Sequence, residues 1–378
     1  GPCRHFAAML KPLICVAAGG VLHPALFGGG MVKAGNCMAA KTQSMLKRPA
    51  RTPGPLRASP SNGLLKRPAR APSLRGKDTP RPVQRGQTIH LIDALPYFFR
   101  AYFAIPLSVK DPAGRQSNGV VGFANFLLRY VADEAPTHMA LCWDRSLTTS
   151  FRNALYPAYK ANRELPPPEL GDQIRRCRAL TEALGIACFD DERYEADDLL
   201  GTLAAGLVKE GCCCRVVSSD KDLCQLVGPS VLLHDYGKGE SYDEKGVHKR
   251  LGVRPEQVAD YLGLAGDAVD NIPGVEGLGP KTAVALLAKF RDLDAIYAGL
   301  DRVAKLSLRG AQGIAARLAE HRDMAFLSRK LATVALNAPM RGKSLKALRR
   351  RRPKGKELDA VLEDIGLVRL RERVDALP

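Results

Sequence analysis

Acidic side chains stand at positions from which they could act together: after strand-like runs, at the start of a helix and before a glycine-rich turn. The nine candidates are Asp93, Asp144, Glu195, Asp197, Asp198, Asp220, Asp222, Asp267 and Asp270. If they met in one cleft, each like-charged pair at about 4 Å would cost about 4 kcal/mol at an effective dielectric constant of about 20, so cations would have to neutralise them. Oxygen ligands without His or Cys favour Mg²⁺ or Mn²⁺ over zinc. Two such ions about 4 Å apart can generate a hydroxide and stabilise the leaving oxygen of a phosphodiester.

Residues 266–283 place the last two acids, Asp267 and Asp270, directly before a glycine-punctuated turn. Their spacing of three residues predicts that both lie on one face of a helix. The turn leads into a second helix with Lys281 in its first turn, and it contains Gly274, Gly277 and Gly279. Free N–H groups at a helix N-terminus, with glycines for close approach and a nearby lysine, can bind a phosphate. Asp also caps helices and starts turns, so the two acids alone leave a structural role open.

Short apolar runs alternate with helical patterns from residue 88 onward, which is typical of a mostly parallel sheet. The predicted strands are residues 88–93, 139–144 and 215–220, and each ends in an acid. The predicted helices of this part are residues 119–132 and 169–184, with a third that opens near Tyr194 and runs to Val208. Ligands of open α/β sheets lie outside the carboxyl ends of the strands. A single Asp there is often a helix cap, but three such ends indicate a site.

Basic and aromatic residues are interleaved in residues 151–163, ahead of the breaker at 166–168. Such a pattern suits a surface that holds phosphates and stacks on bases. An ordinary solvated helix has the same composition, so this alternative stays open.

The formal charge of +18 is concentrated at one end of the chain. Residues 1–85 contain 15 Lys and Arg against one acid, Asp78, so they carry +14 and the remainder +4. This tail repeats the hexapeptide LKRPAR at 46–51 and 65–70, in a setting too poor in apolar residues to fold. An Arg-rich N-terminus with almost no acids is typical of an organelle transit peptide, although a disordered basic arm that binds nucleic acid looks similar. We therefore expect a plastid or mitochondrial location, with nucleoid association after import.

The length of 378 residues suggests about two domains. The ten cysteines lack paired C-x-x-C spacing, so neither a zinc site nor a disulfide framework is expected. Residues 86–378 contain no uninterrupted apolar run of membrane length, and no membrane partner is expected.

Five motifs occur in an order and spacing that resemble a known family. They are LID at 91–93, YKANR at 159–163, YEADD at 194–198, DKD at 220–222 and GDAVDNIPG at 266–274. Together they resemble the 5′–3′ exonuclease domain of bacterial DNA polymerase I and its stand-alone relatives, within the flap endonuclease superfamily. The resemblance covers about residues 88–375 and implies two folded domains. The first is a PIN-like α/β domain at 86–250 with a helical arch at about 145–170. The second is a helical, helix-hairpin-helix type (helix-three-turn-helix) DNA-binding domain at 251–378.

The resemblance also implies roles for individual residues. The metal nearer the nucleophile would be held by Asp93, Asp144, Glu195, Asp197 and Asp198. The second metal would be served, in part through water, by Asp220, Asp222, Asp267 and Asp270. Lys160 and Arg163 would steer the scissile phosphate and stabilise developing charge, and Arg100 would lie near the DNA strand. Residues expected to contact DNA are Tyr159, Gly274, Gly277, Gly279, Lys281 and Thr282, with K⁺ as a candidate ion at the hairpin.

The implied function is a metal-dependent, structure-specific 5′ nuclease that acts as a monomer on flapped, nicked or gapped DNA, with RNA primers as further candidate substrates. Two departures from the family pattern bear on its efficiency: Ala94 follows the first Asp in place of Gly, and Ser219 precedes the DKD motif in place of Gly. Both add atoms beside the expected metals. The alternatives are a non-catalytic DNA-binding module, in which these changes spoil the site, and a PIN-type ribonuclease, which would lack the block at 266–283.

Overall fold

The computed structural model describes residues 86–146, 148–163 and 166–378. The predicted tail of residues 1–85, and with it the transit-peptide prediction, lies outside the described residues. In the described part of the chain, no helix is long and apolar enough to cross a bilayer.

A six-stranded sheet forms the centre of the N-terminal half. Its strands are β1 (Thr88–Asp93), β2 (Met139–Asp144), β3 (Ala187–Asp191), β4 (Cys213–Val217), β5 (Val231–Asp235) and β6 (Glu240–Tyr242). They lie in the order β3-β2-β1-β4-β5-β6, and the first five are mutually parallel while β6 runs antiparallel to β5. The parallel order brings the carboxyl ends of β1, β2 and β4 to one edge, as the sequence predicted.

The third predicted strand ends earlier than expected, at Val217 rather than Asp220. Ser218 is the reason, because its Oγ accepts a hydrogen bond from the Asp220 N–H over 3.1 Å. Such local side-chain contacts with the backbone compete with a strand ladder. Asp220 therefore lies in a turn beyond the sheet.

Among the residues that the structure describes, six helices accompany the sheet: α1 (Ala94–Ala104), α2 (Asn118–Glu134), α3 (Phe151–Leu155), α4 (Pro168–Ala183), α5 (Ala196–Lys209) and α6 (Glu244–Leu251). Helices α1, α2 and α4 share a core on one face of the sheet, around Phe98, Phe123 and Trp143. Helix α5 packs on the other face, and its Leu199 and Leu203 join an apolar cluster that continues into the C-terminal half. The sheet is thus covered on both faces, as parallel sheets generally are.

In the described residues after 251, nine further helices follow: α7 (Val258–Ala265), α8 (Pro280–Leu287), α9 (Leu293–Ala298), α10 (Leu300–Val303), α11 (Ala311–Glu320), α12 (Arg322–Ala332), α13 (Leu345–Leu348), α14 (Gly355–Asp364) and α15 (Leu370–Asp375). Helix α12 packs along α7. Short 3₁₀ turns occupy Asp222–Leu226 and Pro255–Gln257.

The end of the chain returns to the N-terminal half. The N–H groups of Arg350 and Arg351 donate to the carbonyls of Thr137 and Gly185 over 2.9 and 3.0 Å. Beyond them, α14 packs on α4 and buries Leu358 in the core shared by α1, α2 and α4. The final helices of the region predicted as one C-terminal domain therefore pack on the first domain, and the backbone of the basic run 349–352 forms the connection.

Candidate metal centre and nucleic-acid interface

Two predicted acids occupy adjacent strand ends. Asp93 ends β1 and Asp144 ends β2. The Ser218 hydroxyl donates to Asp93 Oδ2 over 2.8 Å, and the Ala196 N–H, at the start of α5, donates to Asp144 Oδ1 over 2.7 Å. Burial raises the pKa of both carboxyls, and the charge of Asp144 raises that of Asp93 further. Ser218 was not predicted, although its position beside a strand end could have indicated it.

The N-terminus of α5 brings further acids to the same edge. Glu195 is the N-cap residue, and Asp197 lies in the first turn. Acids are favoured there by the helix dipole. Burial raises the pKa of Asp197 well above its usual value, and the charges of Asp220 and then of Asp93 raise it further. Asp197 therefore faces the acids of β1 and of the turn after β4.

The DKD motif completes this group from the turn after β4. Burial raises the pKa of Asp222 well above its usual value, and Asp220 raises it further. Burial also raises the pKa of Asp220. Lys221, between them, was not predicted as a site residue, yet its Nζ lies 3.2 Å from Asp267 Oδ2. The motif thus links the sheet edge to the C-terminal half.

Asp267 and Asp270 do not lie on a helix face, and this prediction was wrong. Helix α7 ends at Ala265, and residues 267–272 form a turn closed by two hydrogen bonds of 2.8 Å between the backbones of Asp267 and Ile272. Gly266 has φ +70°, a conformation that ends a right-handed helix. The turn points Asp267 toward Lys221 and Asp270 toward Lys160 and Arg163 rather than stacking the two carboxylates along a helix.

The arch segment docks directly on this turn. Lys160 has φ +54°, and its N–H donates to the Asp270 carbonyl over 3.0 Å. Asn271 has φ +55°, and its Nδ2 donates to the Ala158 carbonyl over 2.6 Å. Such backbone conformations are costly for residues other than glycine and concentrate at functional sites. The reciprocal hydrogen bonds hold both residues in them.

Basic side chains of the arch segment lie among the acids. Lys160 Nζ is 2.6 Å from Glu195 Oε2 and 3.7 Å from Asp270 Oδ2, and Arg163 forms an ion pair with Asp270. Burial would raise the pKa of Glu195 and of Asp270. Lys160 together with Arg152 at Glu195, and Lys160 together with Arg163 at Asp270, outweigh burial, so both pKa values are lowered. These two acids are thus ionised and neutralised within the protein.

Tyr159 is buried, with 3% of its surface exposed, and its hydroxyl donates to Glu195 Oε2 over 3.1 Å. The predicted contact of Tyr159 with DNA does not fit such a position, because the ring packs into the apolar cluster around α5. Arg100 lies on the exposed side of α1, and a Cβ atom added at Gly237 would come within 1.7 Å of its Nη1. Gly237 thus leaves room for the Arg100 guanidinium.

Asp198 is placed differently from the other predicted ligands. It is fully buried and forms a two-pronged ion pair with Arg152, with N–O distances of 2.7 and 2.8 Å. The N–H groups of Glu195 and Ala335 also donate to its oxygens, over 3.0 and 2.7 Å. The expected role as a metal ligand does not fit, because four hydrogen bonds occupy the acceptor sites of a carboxylate. Arg152 was not predicted as a functional residue.

The glycine hairpin predicted to bind DNA connects the acid turn to α8. Gly274 has φ +66°, and a Cβ atom there would lie 2.3 Å from the Gly266 nitrogen. Its N–H donates to Ser328 Oγ of α12 over 2.9 Å. Gly277 has φ +74°, and its carbonyl accepts from Arg317 Nη1 over 3.3 Å.

Gly279 caps α8, and Pro280 stands at its start. Lys281 is exposed and Thr282 half-buried in the first turn. The predicted phosphate-binding arrangement is present in the backbone: glycines, a helix N-terminus and an exposed lysine.

The acids suit hard divalent cations. Their donors are carboxylate oxygens, and Asp222 Oδ1 is buried without a hydrogen-bond partner among the described residues. Buried carboxyls with raised pKa values are stabilised in the ionised form by such ions. Within the described ranges, no three His, Cys, Asp or Glu side chains are already arranged to hold one ion, and Lys160 lies among the acids.

Two family models match adjacent parts of the chain. One is described as 5′-3′ exonuclease, N-terminal resolvase-like domain, and matches residues 88–252; the other is described as 5′-3′ exonuclease, C-terminal SAM fold, and matches residues 253–356. DNA polymerase I of Bacillus caldotenax is 41% identical over 254 residues, which are 66% of this chain and 28% of that protein. Flap endonuclease Xni of Serratia proteamaculans is 38% identical over 217 residues, which are 57% of this chain and 84% of that protein.

Solved structures agree in fold. The T5 5′-exonuclease superposes with a TM-score of 0.54 at 18% identity, over 74% of this chain and 100% of that one. The catalytic core of Rad2 superposes with a TM-score of 0.52 at 15% identity, over 79% of this chain and 96% of that one.

The parallel sheet with acids at its carboxyl edge, followed by a helical domain that contains a glycine hairpin, defines the PIN-like class of α/β nucleases. The chain belongs to the 5′–3′ exonuclease family, in which nucleases of polymerase I type and flap endonucleases are related. The predicted fold class and the predicted family are both confirmed.

Proposed function

We propose that this chain is a divalent-metal-dependent nuclease that hydrolyses phosphodiester bonds near 5′ ends in DNA carrying a flap, nick or gap. The proposal depends on one observation: the turn that carries two of the proposed metal-binding acids leads directly into the proposed phosphate-binding hairpin. Asp267 pairs with Lys221 of the DKD motif and Asp270 pairs with Lys160, which also contacts Glu195. Seven residues after Asp267 the same stretch reaches the glycine hairpin at Gly274. Phosphate binding and bond cleavage would therefore act on one strand of nucleic acid.

Mg²⁺, or Mn²⁺ in its place, is the cofactor that we propose, in at least two sites. Asp93, Asp144, Glu195 and Asp197 would hold one ion, and Asp220, Asp222, Asp267 and Asp270 would serve the other. The ions would supply a nucleophile at neutral pH and stabilisation of the leaving oxygen. Support comes from the buried, oxygen-only donor set and from the T5 5′-exonuclease, whose structure contains divalent metal ions.

The protein's own contribution to charge stabilisation would come from the arch segment. Lys160 pairs with Glu195 and Arg163 pairs with Asp270, and the Lys160 side chain is 9% exposed. A phosphate that entered between them would find two fixed positive groups in surroundings of low dielectric constant, where such groups act strongly. Arg100, exposed on α1, would hold the strand beside the cleft.

Duplex binding would use the hairpin and the start of α8, through Gly274, Gly277, Gly279, Lys281 and Thr282. Contacts of backbone N–H groups with phosphates carry no sequence information, which suits recognition of a DNA structure rather than a sequence. The T5 D15 flap endonuclease and Rad2 have been solved in complexes with DNA. K⁺ at the hairpin and action as a monomer belong to the same proposal; titration of KCl against NaCl and light scattering would test them.

Cleavage of an end-labelled 5′ flap, with Mg²⁺ titrated from zero, tests the proposal. We expect metal-dependent products, and we expect Asp144→Asn to abolish them while flap binding in Ca²⁺ persists. Undiminished cleavage by Asp144→Asn would contradict the metal role. Shifted complexes without product would support the alternative of a non-catalytic binding module, and cleavage of single-stranded RNA alone would support the PIN-type ribonuclease. Mapping the products would separate exonucleolytic from endonucleolytic action.

We further propose that residues 1–85 direct the protein to a plastid or mitochondrion, and to its nucleoid. The support is their composition, with 15 basic residues and one acid. A fluorescent protein fused to residues 1–85 should enter an organelle. A diffuse cytosolic signal would count against import, and a nuclear signal would favour a basic nucleic-acid-binding arm.

A further inference from the structure

Arg152 and Asp198 form a buried pair at the meeting point of three elements. Arg152 belongs to α3 at the base of the arch segment, and Asp198 belongs to the first turn of α5. Both side chains are nearly inaccessible, with exposures of 3% and 0%. A planar guanidinium that pairs with a carboxylate through two parallel hydrogen bonds sets orientation as well as distance.

The third element is the end of α12. Arg152 Nε donates to the Leu331 carbonyl over 2.7 Å, and its Nη2 donates to the Thr333 carbonyl over 3.0 Å. The carboxylate of Asp198 accepts the N–H of Ala335 over 2.7 Å. Arg152 and Asp198 therefore each form a hydrogen bond with the segment that follows α12.

Asp198 also holds Glu195, the N-cap residue of α5. Its Oδ2 accepts the N–H of Glu195 over 3.0 Å, which closes the capping box of α5. Glu195, which makes this contact, and Asp197, which precedes Asp198 in the sequence, are both members of the proposed metal cleft. Any shift of Asp198 would therefore move the backbone that carries them.

Helix α12 connects the pair to the hairpin. One helical turn before Leu331, the buried Ser328 accepts the N–H of Gly274 over 2.9 Å. The same short stretch of α12 thus touches the proposed duplex-binding hairpin on one side and the support of the proposed metal cleft on the other.

We propose that Arg152 and Asp198 are positioning residues that hold the start of α5 against the end of α12, and that Asp198 is not a metal ligand. The inference rests on the proposed function. The pair would keep Glu195 and Asp197 in register with DNA held at the hairpin. Small displacements of reacting groups have large effects on rate, so such a pair acts on the chemical step.

The test uses the full chain and three measurements: bound Mn²⁺ by electron paramagnetic resonance without DNA, affinity for a 5′ flap in Ca²⁺, and the single-turnover cleavage rate in Mg²⁺. Asp198→Asn should bind as many Mn²⁺ ions as the wild type, and Asp197→Asn should bind fewer. Arg152→Lys keeps the charge but loses the planar fork. The affinities of Arg152→Lys for Mn²⁺ and for the 5′ flap should stay within about threefold of the wild-type values. Its single-turnover cleavage rate should fall by about tenfold or more.

The matched control is Arg176→Lys. Arg176 is another buried arginine, 3.1 Å from Asp111, and it donates to the Gln116 carbonyl over 2.6 Å, so that it joins α4 to the loop before α2. The Arg176→Lys variant should lose about as much thermal stability as Arg152→Lys. Its cleavage rate should stay within about twofold of the wild-type rate. Equal loss of rate in Arg152→Lys and Arg176→Lys would overturn the positioning role.

Fewer bound Mn²⁺ ions in Asp198→Asn would overturn the other half of the proposal. If Asp198→Asn did not fold, Arg152→Lys would still test the positioning role, because a lower cleavage rate at unchanged Mn²⁺ and flap affinity would support it and unchanged values of all three would contradict it. A wild-type chain that bound Mn²⁺ but cut no DNA would refute the proposed function. The comparison of bound ions between Asp197→Asn and Asp198→Asn would still test whether Asp198 is a ligand.

Discussion

Lys160 Nζ donates a hydrogen bond of 2.6 Å to Glu195 Oε2, so that a lysine from the arch segment and the N-cap of α5 form one buried ion pair. The two residues come from different parts of the PIN-like domain, and both were expected at the site for different reasons. Their contact couples the basic segment that would meet the phosphate to the acids that would hold the metal.

Replacement of Lys160 by Ala should lower the single-turnover rate by about tenfold or more, because a fixed positive charge beside the developing charge would be lost. The measurement is cleavage of a labelled flap with enzyme in excess. Lys209→Ala, at the exposed far end of α5, is the control and should cut at the wild-type rate. A change below about twofold in Lys160→Ala would reject a role in the transition state.

Gly274→Ala should destabilise the hairpin and weaken duplex binding. The new Cβ would lie 2.3 Å from the Gly266 nitrogen at a φ of +66°, so the backbone must shift, at a cost above about 1 kcal/mol. Gly313→Ala is the control, since Gly313 lies in α11 with open space at its Cβ. That change should stabilise the protein by up to about 1 kcal/mol. Thermal unfolding and flap affinity would be measured, and unchanged affinity in Gly274→Ala would contradict the hairpin's role.

Ser328→Ala should loosen the hairpin from α12. The N–H of Gly274 would lose its partner in a buried position, which costs about 1–3 kcal/mol in the free energy of unfolding. We expect a loss of duplex affinity at unchanged Mn²⁺ binding, since Ser328 contacts none of the acids of the proposed cleft. Ser307→Ala, at an exposed position of the same half, should change neither quantity. Loss of Mn²⁺ binding in Ser328→Ala would contradict the prediction that Ser328 supports the hairpin without affecting the metal cleft.

Stability in the presence of a chelator should fall as the pH rises from the ordinary carboxyl range toward neutrality. Burial first, and then neighbouring carboxylates, raise the pKa of Asp93, Asp197 and Asp222 in the folded chain. The folded state therefore binds protons more tightly than the unfolded state, and this contribution to stability is lost as the pH passes through the raised pKa values.

Divalent metal should reverse that loss. At about 100 times its Kd, Mg²⁺ should add about 2.7 kcal/mol to the free energy of unfolding at neutral pH. Asp197→Asn, which removes one of the raised groups, should flatten the pH dependence in the chelator and reduce the gain with Mg²⁺. Denaturant unfolding across the pH range provides the measurement, and identical curves with and without Mg²⁺ would contradict a metal site at these acids.

Much of the architecture was predictable because it depends on short stretches. Strands β1 and β2 were placed at their observed bounds, since apolar runs that end in an acid are a local signal. Parallel strands then bring Asp93 and Asp144 to one edge whatever the detailed packing. The glycines of the hairpin were also recognisable, because a positive φ at Gly274 and Gly277 favours that residue type.

The sequence by itself therefore determined three of the six strands, the edge at which the acids gather, the hairpin and the family. Only the tertiary structure decided which side chains serve chemistry and which serve support. Arg152 reaches Asp198 across 46 positions and Leu331 across 179, separations that no periodic pattern reports. Asp267 and Asp270 leave the helix because Gly266 and the bridge to Ile272 turn the chain, and Tyr159 is covered by the core that α5 builds. In each case the residue type was compatible with more than one role, and long-range contacts selected among them.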